Sequence, residues 1–445
     1  MKPSYFNLYI QNYPGNGQTL VYNTRTQAMA VFENDLACLL ENNTGIILKL
    51  QEKEFGSLIE EGFCVYDHED ERAILEDWFN EVCYSRDVLS ATILTTYRCN
   101  FNCPYCFEQK AEKHSQDMSQ EMAGKVFHWL FEKAREKKVR AIHLFYYGGE
   151  PLLNKKIIRY LSVLMKDFAD LYHIDFKFGI VTNGYLIDAA DTKDLKTLGL
   201  DFYRITLDGS EKWHDQTRRL KNGKGSFARI MENIEKNTDG VKILISGNFT
   251  EKNFPGILDL IDYLGTHPAK SRIHSLSFSP LVEIMDASCQ FDTTHCFKNY
   301  ESEFSRIALT IQESLKKRGF KTTRDKIGMQ TCPFKIKDTD VVITPEGDIY
   351  KCPVTLGNKD FCVGHVSSLE LNEKNKSIIA NDSWKRCYPC PYLPICCGGC
   401  YYKALVHHGD LFAIDCPKLF FEDSLPLIIK EEYEKLSLEA CASSL

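Results

Sequence analysis

No run of this chain is apolar over the ~20 residues that a bilayer-crossing helix needs. Met1 to Ile10 lacks both the basic and the apolar regions of a secretory signal, so the expectation is a cytoplasmic protein with no membrane partner. Basic charge is not in excess. The chain has 54 Lys and Arg against 61 Asp and Glu, a formal charge of −7, which argues against broad, salt-driven binding to nucleic acid. There is no internal repeat and no low-complexity tract, which leaves an ordinary globular chain of 445 residues, long enough for two or three domains. Disulfides rarely persist in the expected compartment, yet the chain has 18 cysteines, which shifts the expectation to metal or redox chemistry.

Ten of those cysteines fall into two spaced groups, one at Cys99 to Cys106 and one from Cys332 to Cys416. The other eight, Cys38, Cys64, Cys83, Cys289, Cys296, Cys362, Cys397 and Cys441, fit neither pattern and read mostly as small buried hydrophobes.

Residues 1–88 open with strand-like alternation in Tyr5 to Ile10, a Pro14-Gly15-Asn16-Gly17 turn and an extended run from Thr19 to Phe32. Asn34 is expected to cap a helix through Glu41, a second helix runs from Glu54 to Glu61, and Phe63 to Tyr66 returns as a strand. Such a unit reads as winged-helix-like, or alternatively as a packing extension. From Leu89 the pattern alternates strand and helix. The strands are expected at Ala91 to Thr96, Ala141 to Tyr147, Asp175 to Thr182, Phe202 to Leu207, Lys242 to Asn248 and Ser275 to Leu281. Helical periodicity lies between them at Gln120 to Lys137, Lys155 to Leu171, Phe227 to Lys236 and Phe254 to Leu264. Six β/α units predict an α/β fold, an open partial (β/α)6 TIM-like barrel over 89–310, with reactive residues on loops after the strands. A helix from Cys296 to Lys317 leads into a Cys-rich domain, 311–420, poor in regular structure and expected to be held by metal rather than by a core. A final element, 421–445, reads as a helix from Leu425 to Leu438 capped by Ser424, with Pro426 in its first turn.

Cys99, Cys103 and Cys106 have C-x3-C-x2-C spacing in a loop after the first barrel strand. Three thiolates fill neither a tetrahedral zinc site nor all four irons of a [4Fe-4S] cube, so one iron is left open. Here the chain resembles the radical S-adenosylmethionine (SAM) superfamily. The resemblance implies that SAM chelates the open iron, that Tyr105 packs on its adenine, and that a 5'-deoxyadenosyl radical is released to abstract hydrogen. Three strand ends support it: Gly148-Gly149-Glu150-Pro151, Thr182-Asn183-Gly184, and Thr206-Leu207-Asp208-Gly209 followed by His214, Asp215 and Arg218. By the same resemblance Gly149 lets backbone approach the ligand, Glu150 accepts from the SAM ammonium, Asn183 adds to the SAM site, and Thr206 and Arg218 hold its carboxylate.

Cys332 and Cys352, then Cys387-x2-Cys390-x5-Cys396-x3-Cys400 and Cys416, resemble the seven-cysteine SPASM extension. That resemblance implies two auxiliary [4Fe-4S] clusters, three in all. Cys387, Cys390, Cys396 and Cys416 would fill one, and Cys332, Cys352 and Cys400 would give three ligands to the other, because residues 320–331 contain no cysteine. Only Cys289 or Cys296 could supply a fourth. Zinc knuckles are the alternative for this group, and they would leave three cysteines idle. His407 and His408 read as surface residues rather than ligands.

The function implied is that of a peptide maturase. Residues 1–88 would grip the leader of a ribosomally made precursor, adding it as a strand, and an electron donor such as flavodoxin or ferredoxin would supply the clusters. A thioether or carbon-carbon cross-link is the expected product; the residue acting as acid or base is not written in the chain. An anaerobic sulfatase-maturing enzyme is the runner-up. It places an Asp where this chain has Pro353, and its chains start near the three-cysteine loop. A radical SAM enzyme on nucleotides or RNA, and a non-catalytic cluster- or zinc-bearing peptide binder, are the remaining readings.

Overall fold

Alternation along the central strands fixes the architecture. In Ala141–Gly148 the residues Ile142, Leu144 and Tyr146 are buried while His143, Phe145 and Tyr147 are only half-buried, and Lys242–Phe249 repeats the pattern. The buried set faces the helices: Tyr146 Oη lies 2.8 Å from Ser162 Oγ on helix Lys155–Tyr172, and Tyr203 Oη lies 3.0 Å from Thr192 Oγ1 on helix Ala189–Thr197. Parallel strands covered on both faces read as continuous apolar runs. These do not, because the second face lines an open lumen.

The computed structural model describes residues 1–42, 52–84, 87–108, 116–281, 302–321, 332, 334 and 339–443. Its strands are β1 (Lys2–Pro3), β2 (Asn7–Gln11), β3 (Gln18–Asn23), β4 (Met29–Glu33), β5 (Cys64–Val65), β6 (Val88–Thr96), β7 (Ala141–Gly148), β8 (Asp175–Thr182), β9 (Leu200–Thr206), β10 (Lys242–Phe249), β11 (Ile273–Pro280), β12 (Asp340–Ile343), β13 (Asp348–Tyr350) and β14 (Gly364–His365). Strands β6 to β11 are the six expected ones, all parallel and adjacent in chain order, so the α/β partial barrel is present. Helix Gln120–Lys137 has its expected bounds for local reasons. Ser119 accepts from Met122 N, Arg135 and Lys137 fall in the last turn, and Lys138 closes the helix in the left-handed region. Helices Ala189–Thr197 and Glu211–Thr217 add two more, the first capped by Asp188.

The Cys-rich segment corrects one expectation. It does contain regular structure and a core: β12 pairs in parallel with β6, and β13 and β14 continue the same sheet to nine strands. Ile343, Ile349 and Val363 are fully buried in the barrel's own apolar core. The C-terminal helix is also longer than expected, running Lys418–Ser443 with Pro426 inside it. Ser424 is therefore not its cap, and its hydroxyl donates to Phe420 O at 2.6 Å one turn back. The helix expected from Cys296 is described from Ser302 to Lys317; Cys289 and Cys296 lie outside the described residues.

At the N-terminus the run from Thr19 to Phe32 is two strands. Asn23 Oδ1 accepts from Arg25 N and Thr26 N and Gln27 adopts a positive φ, so β3 turns back into β4 without glycine or proline. β2, β3 and β4 form an antiparallel meander, flanked by helices Asn34–Glu41 and Glu52–Glu60, while β1 pairs with β5. Asn34 starts its helix rather than capping it, and its side chain instead bonds Thr19 and Asn12. Helix Glu71–Tyr84, which the sequence reading did not pick out, leads toward the barrel.

This N-terminal unit packs on the Cys-rich segment. Phe6, Leu75, Phe79 and Cys83 share a core with Trp384, Leu393 and Cys397, and Phe79 stacks on Trp384 with centroids 4.5 Å apart. Ile10, Leu20 and Tyr22 share another with Ile395, Leu425 and Ile429. Lys385 pairs with Glu76 at 2.8 Å, and Thr24 Oγ1 donates to Pro391 O at 2.6 Å. Truncating a buried tryptophan removes transfer energy and leaves a cavity. Trp384→Ala is expected to lower the stability of this junction by about 3–5 kcal/mol, measured by denaturant unfolding. It should also speed proteolytic cutting within residues 1–88, and an unchanged cleavage rate would contradict the shared core.

Candidate functional site

The three-cysteine loop leaves the end of β6 and is fixed by backbone contacts on two sides. On one side Asn102 N donates to Arg219 O at 2.9 Å, Lys221 N to Asn100 O at 3.0 Å, and Phe101 bridges Leu220. On the other, Gly149 N donates to Thr96 O at 3.1 Å and Glu150 N to Arg98 O at 2.8 Å. A Cβ on Gly149 would stand 2.5 Å from the carbonyl oxygens of both Tyr97 and Arg98. The close approach that requires glycine is therefore to the cysteine loop's own backbone, where the sequence reading placed a ligand.

Burial pushes the thiols of this loop up. Cys99 is raised to about 12 by desolvation, against a hydrogen bond from Phe101 N, and Cys103 and Cys106 are raised for the same first reason. Cys99 feels the charge of Cys103, and Cys106 that of both, so the three are mutual neighbours. As isolated thiols they would keep their protons; a bound metal cluster would displace them.

Glu150 is fully buried at the end of β7. Oε1 accepts from Leu152 N at 3.0 Å and Thr182 Oγ1 at 2.7 Å, and Oε2 accepts from Asn183 N at 2.8 Å. Desolvation raises its pKa, and these three donors oppose the rise. A carboxylate has about four acceptor positions, so one remains for a further donor. Asn183 continues the chain of contacts, donating through Nδ2 to Asn100 Oδ1 at 2.7 Å. The Gly-Gly-Glu-Pro and Thr-Asn-Gly stretches thus form one unit behind the cysteine loop.

A second buried network lies across the site. Arg218 Nη1 donates to Tyr105 Oη at 2.8 Å, Tyr105 donates to Asp208, and Asp208 Oδ1 accepts from Asn248 N at 2.8 Å. Burial opposes the charge of Arg218, but the Asp208 carboxylate and the hydrogen bond to Tyr105 outweigh it and keep the guanidinium protonated; burial likewise keeps Tyr105 a neutral phenol. Arg218 Nε is buried with no hydrogen-bond partner among the described residues. Thr206 lies at the end of β9 with its hydroxyl 3.4 Å from Ser246 Oγ. His214 and Asp215 are supports. His214 Nδ1 accepts from Asp208 N and its Nε2 is 3.0 Å from Ser226 Oγ, burial holding the ring neutral, while Asp215 Oδ1 accepts from Ser226 N and Phe227 N and starts the next helix. The sequence reading gave Asp208 no role. Its signal was an acid between a strand end and a glycine, facing a loop that carries Tyr105.

In the second group, burial raises Cys352 to about 12, and its neighbours in charge are Cys332 and Cys400. Cys390 is raised by burial too, with Cys416 the cysteine it feels. Cys387, Cys390 and Cys396 pack against the core shared with the N-terminal unit. Cys397, at positive φ, is buried within that core, and His407 pairs with Asp415 at 2.8 Å. Of the other unassigned cysteines, Cys64 and Cys83 are buried, Cys362 is half-buried and Cys38 is exposed. Among the described residues no three His, Cys, Asp or Glu side chains are gathered as they would be around a single metal ion.

The donors fit the groups that the sequence reading named. Three neighbouring thiols on one loop suit a cluster with an open iron, and a buried carboxylate with a spare acceptor position faces the needs of an ammonium. A buried guanidinium with an unused Nε suits a carboxylate. Residues 93–261 match the radical SAM superfamily. The barrel is a radical SAM domain. The chain is 27% identical over 306 residues to an uncharacterized protein of Methanocaldococcus jannaschii, covering 67% of this chain and 94% of the relative. It is 27% identical over 154 residues to a probable GTP 3',8-cyclase of Methanocella arvoryzae, spanning 34% of this chain and 44% of that relative. Among solved structures, native anSMEcpe with bound AdoMet and Cp18Cys peptide superposes at a TM-score of 0.61 and 18% identity, over 78% of this chain and 99% of that one. Streptococcus suis SuiB bound to S-adenosylmethionine does so at 0.54 and 16%, over 94% of this chain and 99% of that one. Residues 93–261 are accordingly the radical SAM domain of an enzyme, and the chain has the fold shared by these structures.

Gly149→Ala is expected to push the cysteine loop off its seat, since two carbonyl oxygens occupy the space its methyl needs. Iron retained after anaerobic reconstitution of the radical SAM domain should fall, and retention equal to wild type would show that the loop adapts.

Proposed function

We propose that the protein is a radical SAM peptide maturase carrying a SPASM-type extension. The observation that carries this reading is the grouping of the late cysteines: Cys352 with Cys332 and Cys400, and Cys390 with Cys416. The first group is the three-ligand set expected for one auxiliary [4Fe-4S] cluster, and the second is two of the four ligands expected for the other. Residues 1–88, read as a winged-helix-like element, would grip the leader of a precursor peptide; β4 stands at the open edge of its meander, where a peptide strand can add. The SuiB and anSMEcpe structures, one with precursor peptide SuiA and one with Cp18Cys peptide, lend the reading support at the level of fold.

When bound, the first cluster and SAM would supply a 5'-deoxyadenosyl radical able to take hydrogen from a core-peptide residue. The chain's own residues do the positioning. Cys99, Cys103 and Cys106 hold the cluster, Glu150 and Asn183 present acceptors to the SAM ammonium, and Arg218 with Thr206 orients its carboxylate. Asp208, through Tyr105, holds Arg218 in place before SAM arrives. A thioether or carbon-carbon cross-link is the product class, with flavodoxin or ferredoxin as electron source. The second reading, formylglycine formation, is favoured by the anSMEcpe fold but meets Pro353 where an Asp is expected, at the start of a 3-10 turn. The GTP 3',8-cyclase relatives match over 34% and 41% of this chain.

Anaerobic reconstitution tests the proposal. About twelve irons per chain and reductive cleavage of SAM to 5'-deoxyadenosine are expected, as three four-iron clusters require. Cys103→Ala should abolish SAM cleavage, whereas Cys416→Ala should spare it and stop peptide modification. About four irons in the wild type would remove the auxiliary clusters from the proposal. Arg218→Lys, which cannot form the planar fork, is expected to weaken SAM binding by roughly tenfold or more in equilibrium dialysis.

A further inference from the structure

The lumen of the barrel contains a cation that the site above does not use. Tyr203 and Ile205 of β9 are buried against the helices, so Phe202, Arg204 and Thr206 face the opposite way, into the lumen. Thr206 belongs to the layer assigned to SAM. Arg204 lies one layer deeper, two residues toward the start of the strand. Its cross-strand neighbours are Val181 on β8 and Leu244 on β10, both apolar. Below it the floor is aromatic: the guanidinium stands 5.9 Å from the Phe202 ring, and Phe202 lies 6.1 Å from Phe145.

Arg204 makes no hydrogen bond and no ion pair among the described residues, the Phe202 ring being its only marked contact. Arg159, on the outer wall, is by contrast paired with Asp194 at the surface. Arg204 is exposed, yet desolvation by the surrounding protein lowers its pKa, with no carboxylate among the described residues to offset it. Exposure together with desolvation is the mark of a concave wall: the group is open to the lumen and surrounded by protein. An unpaired guanidinium held in such a place is unfavourable unless an anion completes it.

We propose that Arg204 is a specificity residue that binds a carboxylate of the substrate at the lumen floor, beneath the SAM layer. This rests on the peptide reading above. The carboxylate is either an Asp or Glu side chain or the free C-terminus of a peptide, and both offer the two oxygens that a guanidinium fork accepts. The aromatic floor of Phe145 and Phe202 would take the apolar part of the same residue. Reaction at the radical site would then be tied to the position of an acidic group, a form of register control that leader binding far away cannot supply.

The test uses the reconstituted full chain with SAM and end-capped tetrapeptide probes, Asp against Asn at one position, plus the Asn probe with a free C-terminal acid, and GTP. Dissociation constants are read by saturation-transfer NMR. Wild type is expected to bind at least one carboxylate probe about tenfold or more tighter than the capped Asn probe, the scale of a charge-assisted hydrogen bond. Whether the Asp or the C-terminal probe gains separates the two sources. Arg204→Gln should erase the preference and Arg204→Lys should keep part of it, with iron content and thermal unfolding as controls on folding. Equal binding of all peptides to wild type, or a preference kept in Arg204→Gln, overturns the assignment while leaving the peptide reading intact. Binding of GTP with no binding of any peptide overturns both.

Discussion

The site depends on the seat of the cysteine loop against the end of β7. Two hydrogen bonds, from Gly149 N to Thr96 O and from Glu150 N to Arg98 O, join the start of the loop to the stretch that carries Glu150. With no side chain at Gly149 the two backbones can touch, and the same few residues then place a metal-binding loop and a buried carboxylate in fixed relation. Glu150 passes that relation on to Thr182 and Asn183, and Asn183 returns it to Asn100 inside the loop. The circuit is closed by backbone and short polar groups, which have few rotamers to lose.

On the other side of the site, Asp208 plays the comparable part. It takes the Tyr105 hydroxyl and, through it, sets Arg218, while its own position is fixed by Asn248 and by the hydrogen bond its backbone N–H donates to His214 Nδ1. A buried acid and a buried base sharing a tyrosine avoid the cost of either standing alone. The groups of these two networks are held by their neighbours, and Glu150 keeps a spare acceptor position and Arg218 an Nε with no partner among the described residues. That is the form of a preorganised site, in which a ligand meets dipoles that need not rearrange.

The barrel was legible in the sequence because its strands carry a two-residue period and most of the helices between them a helical one, whereas the helix capped by Asp188 was not read. Cys99, Cys103 and Cys106 stay neighbours because one short loop carries all three. Other features had no local signal. The turn between β3 and β4 is made by Asn23 and Gln27 in place of glycine or proline, so two strands read as one. β12 to β14 are short and earn their burial by joining an edge formed 250 residues earlier, a tertiary fact invisible to a window of sequence. Asp208 and Arg204 matter through what lies across the lumen, and only the folded sheet brings those neighbours together.

The shared cores between the two ends of the chain bear on how the molecule is made. Phe6, Leu75 and Phe79 leave the ribosome well before Trp384 and Leu393, their partners in one core. Ile10 and Leu20 wait for Leu425 and Ile429 in the same way. Contacts this far apart in sequence are slow to form, and apolar surface exposed in the meantime invites association with other chains. The unit formed by residues 1–88 is thus made before the segment that completes its cores, so its final packing has to wait for that segment.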